Sequence, residues 1–349
     1  MPIPTNSTKK HIALLPGDGI GGEVLDAAVQ VLRALPGIDF RFEEYPCGAG
    51  EYLRSGNPLP EPTMQACRSV DAILLGAMGL PDVRWPDGRE MAPQLDLREQ
   101  LELFAGVRPV RVFHPSHSPL RTPRIDYVLV RESTEGLFST RLRPRDRTAT
   151  SVRDELLVTR AGSERLFHFC FRLARTRRRK LTLIDKANVL PSMAFFREIF
   201  YEVAQQYPDV EAGHVYVDAA ALYMVQSPER FDVLVTENLF GDILSDLSAG
   251  TVGGMGLAPS ADIGEKHAVF QPAHGSAPDI AGRGVANPVA TILSAAMMLE
   301  WFGQPECDSG AARIRAAVET VLANPENATP DLGGRLSTRE LTDRILDVL

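Results

Sequence analysis

At 349 residues the chain has length for two domains, and its 44% hydrophobic and 23% charged residues are those of a soluble globular protein. A net charge of -8 excludes a general nucleic-acid binder, because phosphate attraction needs a basic surface. Four scattered cysteines without a CxxC pair speak against a disulfide framework or zinc site. With no basic-then-apolar leader and no apolar run of membrane-spanning length, a reducing, cytoplasmic location is expected.

From the amino end, the apolar run His11–Leu15 predicts a strand, and Gly17-Asp18-Gly19-Ile20-Gly21-Gly22 leads from it into a helical pattern over Gly22–Leu35. The glycines satisfy GxGxxG. A Rossmann dinucleotide cradle also needs an acid ending the second strand about 20 positions on, where only Glu43 and Glu44 stand. A tight strand-to-helix turn accounts for the glycines equally well. Further strands are predicted over Ala72–Leu75, Tyr127–Val130, Leu181–Ile184, Val215–Val217, Val233–Thr236 and Ala268–Gln271. Helical patterns at Ser163–Arg175 and Met193–Tyr207 lie between them. This alternation predicts an α/β fold with a largely parallel sheet.

Three arginines are suited to read an anionic substrate: Arg98, Arg108 before Pro109, and Arg131 at the carboxyl end of a predicted strand. Guanidinium groups grip carboxylates bidentately. Farther on, Arg141–Arg153 is arginine-rich and aperiodic, a surface loop or an arm reaching a second subunit. The run Arg175, Arg177, Arg178, Arg179 and Lys180 reads as a solvated helix end. Directly after Leu181–Ile184 comes Asp185-Lys186-Ala187-Asn188. A lysine beyond a strand's carboxyl end is placed to act as a base, or else to pair with Asp185 on the surface.

Two helical runs, Asp218–Val225 and Gly241–Ala249, are apolar over most of their circumference and are expected in a core or a subunit interface. In the second, Asp242 and Asp246 are four residues apart and share a face. Two carboxylates on an apolar helix call for a cation, and oxygen ligands suit Mg²⁺ or Mn²⁺. The small-residue loop at His274-Gly275-Ser276-Ala277-Pro278-Asp279, continuing to Ala286-Asn287-Pro288, lets backbone approach a ligand closely.

In this order and spacing, the chain resembles the β-decarboxylating dehydrogenases, which include isopropylmalate, isocitrate, homoisocitrate and tartrate dehydrogenases. The resemblance rests on LPGDGIGGEV at Leu15–Val24, LFAGVRP at Leu103–Pro109, VRESTEG at Val130–Gly136 and DKANVL at Asp185–Leu190. It continues through ERFDVLVTENLFGDILSD at Glu229–Asp246, HGSAPDIAG at His274–Gly282 and ANPVATILSAAMMLE at Ala286–Glu300. The resemblance implies an isopropylmalate dehydrogenase-like two-domain α/β fold, distinct from the Rossmann type. A cofactor-side domain of residues 1–102 and 256–349 would contain both termini. A central domain, 103–255, would carry the substrate and metal residues, the dimer helices and an arm near 138–160.

The resemblance also implies a homodimer with shared sites: Asp242 and Asp246 from one chain, Asp218 and Lys186 from the other, around Mg²⁺ or Mn²⁺. Arg98, Arg108 and Arg131 fall on the family's substrate-carboxylate arginines, and Leu95 and Gln94 on the pocket for the variable substituent. His274, Gly275, Ser276, Ala277, Asp279, Ala286 and Asn287 fall on its cofactor site. Asp279 points to NAD, since a carboxylate accepts from a ribose hydroxyl and repels a 2′-phosphate.

The expected reaction is oxidative decarboxylation of a (2R)-malate-type 2-hydroxy acid, with Lys186 and Asp218 handling the hydroxyl proton. The first expected substrate is 3-isopropylmalate or a related 3-substituted malate. Gln94 and Met91 depart from the isopropylmalate pattern and leave tartrate, D-malate and homoisocitrate as alternatives. A second departure is Phe138, where the family's enolate-protonating tyrosine is expected. It leaves Ser139, Thr140, Tyr127 or water as substitutes, or oxidation with impaired decarboxylation, or a non-catalytic NAD-binding relative.

Overall fold

The short apolar runs form strands and the amphipathic stretches between them form helices. The computed structural model describes residues 9–122, 124–141 and 146–349. In chain order, the first stretch holds β1 (Lys10–Gly17), α1 (Gly21–Arg33), β2 (Phe40–Glu44), α2 (Ala49–Ser55), α3 (Glu61–Ser69), β3 (Ala72–Ala77) and α4 (Pro93–Gln100). Next come β4 (Ala105–Arg111), β5 (Asp126–Glu132), β6 (Asp146–Arg147), β7 (Val152–Arg153), α5 (Arg160–Arg175), β8 (Lys180–Asp185) and α6 (Pro191–Ala204). They are followed by β9 (Glu211–Tyr216), α7 (Val217–Gln226), β10 (Val233–Thr236) and α8 (Asn238–Val252). The order ends with β11 (Pro259–Ile263), β12 (Ala268–Pro272), α9 (Val289–Phe302), α10 (Pro305–Leu322) and α11 (Thr338–Leu346).

The chain divides into two units. The first comprises Met1–Leu101, Gly253–Ala261 and Glu265–Leu349; the second comprises Glu102–Val252 and Asp262–Gly264. In the first unit the strand order is β2-β1-β3-β12-β11, with β1 parallel to β2 and β3, and β12 parallel to β3. Every residue of β3 is buried, as a parallel strand covered on both faces requires. Helix α1 turns Val24, Leu25, Ala28, Val31 and Leu32 inward. Helix α9 is apolar all round and buried from Val289 through Leu299, which makes it the central helix of this unit.

In the second unit the order is β4-β5-β10-β8-β9. Only the β4–β5 pair is antiparallel; β5, β10, β8 and β9 run parallel. Helices α5 and α6 interlock through Phe167, Phe171, Phe196 and Phe200, with the Phe167 and Phe196 ring centroids 4.6 Å apart. From α7 and α8, Ala220, Met224 and Leu244 join Tyr127, Leu129 and Leu234 in one apolar cluster. Among the described residues no helix is long and apolar enough to cross a membrane. All four cysteines are free and buried, and burial pushes the Cys67 thiol up to about 12.

Several sequence expectations need correction. Val217 opens α7 rather than ending a strand, because β9 stops at Tyr216. The two apolar helices, expected in a core or a subunit interface, keep part of their apolar surface outside the chain's own core, which leaves the interface open: Leu222 and Val225 of α7 and Ile243 of α8 are exposed, Ile243 at 59%. The arginine run is not merely solvated. Arg175 binds Asp209, Arg177 spans Asp126 and the buried Asp232, and Arg178 donates to the Phe231 and Asp126 carbonyls. Of the expected arm, residues 142–145 lie outside the described residues; β6 and β7 pair antiparallel across the turn that follows.

Candidate active site

The glycine turn after β1 is filled from within. Asp18 N donates to Ala77 O, Ile20 N to Ser276 O and Gly21 N to Asp18 O, so these amides have no capacity left for a phosphate. A Cβ on Gly19 would lie 1.9 Å from Ser276 O, and one on Gly17 1.8 Å from Ala77 O. The glycines therefore serve close backbone packing. The buried Asp18 carboxylate accepts from the amides of Ala49, Gly50 and Gly79, a fixed anion that would repel a pyrophosphate.

In the second unit, α8 begins on a capping glutamate: Glu237 accepts from the Leu239 and Phe240 amides. The helix then passes so close to β5 that position 241 has to be glycine beside Arg131. The Arg131 guanidinium is buried. Its Nε and Nη2 donate to Asn238 Oδ1 at 2.9 and 2.6 Å, its Nη1 donates to Asp242, and the Phe138 ring centroid lies 5.0 Å from its Cζ. Arg108, also buried, lies 3.6 Å from Asp262. One turn beyond Asp242 is Asp246. Partial burial and the Asp242 charge push its carboxyl above the usual range, against the pull of Arg108 and Arg131. Two guanidiniums and two carboxylates thus share one electrostatic environment.

Lys186 does not pair with Asp185. Its Nζ donates to Asp218 Oδ1 at 2.7 Å, which holds the Asp218 carboxyl below the usual range. Asp185 is fully buried and taken up by Arg197 and the Ala187 amide. Among the described residues of this single chain, no group of three or more His, Cys, Asp and Glu side chains converges on a cation-sized point. Asp242 and Asp246 share α8, whereas Asp218 opens α7 and is held by Lys186.

The three hydroxyl side chains that could stand in for the tyrosine missing at Phe138 are all committed. Tyr127 OH is buried and donates to Ser248 Oγ, and burial pushes it up to about 12. Ser139 Oγ donates to Gly136 O, and Thr140 Oγ1 to Leu137 O.

Arg98, Leu95 and Gln94 belong to α4 of the first unit. Arg98 is buried, Leu95 half-buried, and Gln94 Oε1 is buried without a hydrogen-bond partner among the described residues. The same unit carries the His274–Asn287 loop. His274 Nδ1 donates to Gly275 O, which leaves the neutral ring's Nε2 as a buried acceptor without a partner among the described residues. Burial lowers the His274 pKa. Ser276 is spent internally, its hydroxyl donating to Gly79 O, while Gly275 and Asp279 are exposed and Ala277 takes a positive φ of 37°. Ala286 is buried, and Asn287 Nδ2 donates to Asp331 Oδ2 at 3.1 Å.

Sequence reasoning missed Asn238, Arg197 and Asp331. The turn Pro330-Asp331-Leu332-Gly333-Gly334 was the available signal for Asp331. Nothing local marks Asn238 or Arg197, whose partners are distant in sequence.

Fold and residues together define an α/β dehydrogenase without a Rossmann cradle. The family model "Isocitrate/isopropylmalate dehydrogenase" matches residues 11–345, and the chain belongs to that family. A 3-isopropylmalate/3-methylmalate dehydrogenase of Methanocaldococcus jannaschii is 45% identical, covering 96% of this chain and 97% of its own. The 3-isopropylmalate dehydrogenase of Heyndrickxia coagulans is 44% identical over 98% and 97%. Among solved structures, isocitrate dehydrogenase from Methylococcus capsulatus superposes with a TM-score of 0.88 at 39% identity, covering 97% of this chain and 98% of its own. A β-decarboxylating dehydrogenase from Thermococcus kodakarensis gives 0.82 at 40%, covering 97% and 95%. The mixed, largely parallel α/β fold expected from the sequence is the fold of these proteins.

Proposed function

We propose that the chain oxidises and decarboxylates a (2R)-malate-type 2-hydroxy acid using NAD and Mg²⁺ or Mn²⁺, with 3-isopropylmalate as its first substrate. The single observation that carries this reading is the joint placement of buried Arg108 and Arg131 with the Asp242–Asp246 pair, cations for a substrate carboxylate beside oxygens for a metal. The donor set fits a hard divalent cation: the two carboxylates are one helical turn apart, and burial, with the charge of Asp242, raises the Asp246 pKa. The names of the near relatives support the substrate.

In this reading Arg108 and Arg131, with Arg98, bind the substrate carboxylates, and Asn238 keeps Arg131 oriented. Lys186, with Asp218, takes the proton of the substrate's 2-hydroxyl. A divalent cation held by Asp242, Asp246 and the Asp218 of a second copy supplies Lewis acidity at the hydroxyl oxygen. The second copy also lends Lys186, and the exposed apolar side chains on α7 and α8 favour a homodimer. NAD, as hydride acceptor, belongs against the His274–Asn287 loop, where the free Nε2 of His274 suits a donor and Asp279 a ribose hydroxyl. Residues 1–102 and 256–349 are the cofactor side, and 103–255 the substrate and metal side. Leu95 and Gln94 face the substituent at C3, and the partnerless Gln94 Oε1 favours a polar substituent as the alternative.

A second reading, oxidation with impaired decarboxylation, is favoured by Phe138 together with the committed hydroxyls of Tyr127, Ser139 and Thr140. The test is NADH formation with Mn²⁺ across 3-isopropylmalate, D-malate, tartrate, isocitrate and homoisocitrate, repeated after chelation. Turnover that survives chelation, or none on any of these acids, defeats the proposal.

A further inference from the structure

Lys186 sits on a flexible four-carbon stem, and its ion-pair partner Asp218 is 69% exposed. A pair this open to water fixes little geometry by itself. Something else has to aim Nζ.

The β8–β9 register sets Asp185 beside Tyr216 at the strand ends, one residue before Lys186 and two before Asp218. Arg197, reaching over from α6, donates to Asp185 through Nε at 2.8 Å and Nη2 at 2.5 Å. With the Ala187 amide also bound, the buried Asp185 carboxylate is engaged by Arg197 and the backbone, and Lys186 pairs with Asp218 instead. The same guanidinium lies over the Tyr216 ring, Cζ 5.1 Å from its centroid. Lys186 Nζ lies over that ring too, 5.7 Å from the centroid, while holding Asp218. An aromatic face attracts an ammonium and restricts its swing.

We propose that Tyr216 is a positioning residue: its ring, anchored by Arg197, is the platform that fixes the Lys186 amino group beside Asp218. The inference rests on the assignment of Lys186 as the group that takes the hydroxyl proton. This role belongs to the ring rather than to the phenolic hydroxyl, which also meets Arg197.

The experiment compares Tyr216→Phe and Tyr216→Leu in the full-length enzyme with two readouts. In steady-state kinetics, Y216L lowers kcat roughly 5- to 30-fold with KM for NAD unchanged, the cost of losing a partly desolvated cation–π contact. Y216F, which keeps the ring, restores most of that loss. The second readout needs no turnover. The chain holds only five lysines (Lys9, Lys10, Lys180, Lys186 and Lys266), so reductive ¹³C-methylation gives few NMR signals, and Lys186→Arg identifies the one that matters. Ring-current shielding displaces the Lys186 methyl signal in wild type and Y216F, and Y216L loses the displacement. Should Y216L fail to fold, Tyr216→Gln takes its place. Unchanged kcat and unchanged shift in the ringless variant would overturn the proposal, as would equal losses in Y216F and Y216L. If the wild type shows the shielded signal but forms no NADH on any hydroxy acid, the assigned function fails while the platform stands.

Discussion

Gly241 lies against Arg131 so closely that a Cβ at 241 would come within 2.7 Å of the arginine's Cβ and Cγ. Those atoms are the root of the side chain, fixed by β5, so the clash cannot be relieved by swinging a flexible tip. Either α8 moves away from the sheet or Arg131 leaves Asn238. Gly241→Ala is therefore expected to destabilise the protein by about 1–3 kcal/mol, the usual cost of overpacking. It should also raise KM for the acid substrate while leaving KM for NAD unchanged. Thermal melts and substrate-saturation curves check both. A variant with wild-type melting and KM would mean that α8 and β5 are not in this register.

Asp18 is the second place where backbone and side chain are locked together. Its carboxylate gathers the Ala49 and Gly50 amides at the start of α2 and the Gly79 amide beyond β3, and Ser276 Oγ binds the Gly79 carbonyl. Asp18→Ala would strand three N–H groups, two of them partly shielded from water. The expected loss is about 2–5 kcal/mol in chemical denaturation, with Asp18→Asn intermediate because one acceptor oxygen remains. Because Ser276 binds the carbonyl of the same residue, Gly79, weaker NAD binding should accompany the loss. A D18A variant as stable as wild type would show that water replaces the carboxylate without cost.

The strands could be read from the sequence because each is a short apolar run buried on both faces, and β1, β3, β5, β8, β10 and β12 all fall where those runs lie. The 3.6-residue pattern likewise placed α1, α5 and α6. What could not be read locally was pairing across distance. Arg131 and Asn238 are 107 positions apart, and Asn287 and Asp331 are 44. The exposure of α7 was equally hidden, since an apolar face reads the same whether its own core or another chain covers it. The glycine turn shows the opposite failure. A pattern with two physical explanations is decided only by what occupies the space, and here Ser276 and Asp18 do.

His274 provides a pH prediction. Its pKa is lowered by burial, so the folded protein holds it neutral more strongly than the unfolded chain does. A depressed folded pKa means that the stability tied to the neutral ring is present above the unfolded value, about 6.5. That stability is lost as pH falls through the lower folded pKa. Comparing wild type with His274→Asn, the melting-temperature advantage of wild type at pH 7.5 should shrink at pH 5. NAD binding should weaken over the same interval, because the charged ring replaces the acceptor at Nε2 with a donor. A difference between the two proteins that is constant with pH would show that His274 titrates alike in folded and unfolded chains.

Phe138 offers the sharpest division between the two readings of the reaction. Its ring covers Arg131, and it has no proton to give. After carbon dioxide leaves, the enolate carbon still needs a proton, and the hydroxyls of Tyr127, Ser139 and Thr140 are spent on Ser248, Gly136 and Leu137. If protonation limits the second half of the reaction, NADH in a single turnover of wild type forms ahead of the protonated keto acid. Phe138→Tyr then raises the rate of the second product without changing hydride transfer. A gain of roughly 10- to 100-fold would be within what a positioned general acid contributes. Parallel measurement of NADH absorbance, released carbon dioxide and the keto acid by mass spectrometry gives the stoichiometry directly. Equal rates in wild type, with no gain in F138Y, would show that water protonates the enolate as fast as this site requires, and the impaired reading would then be abandoned.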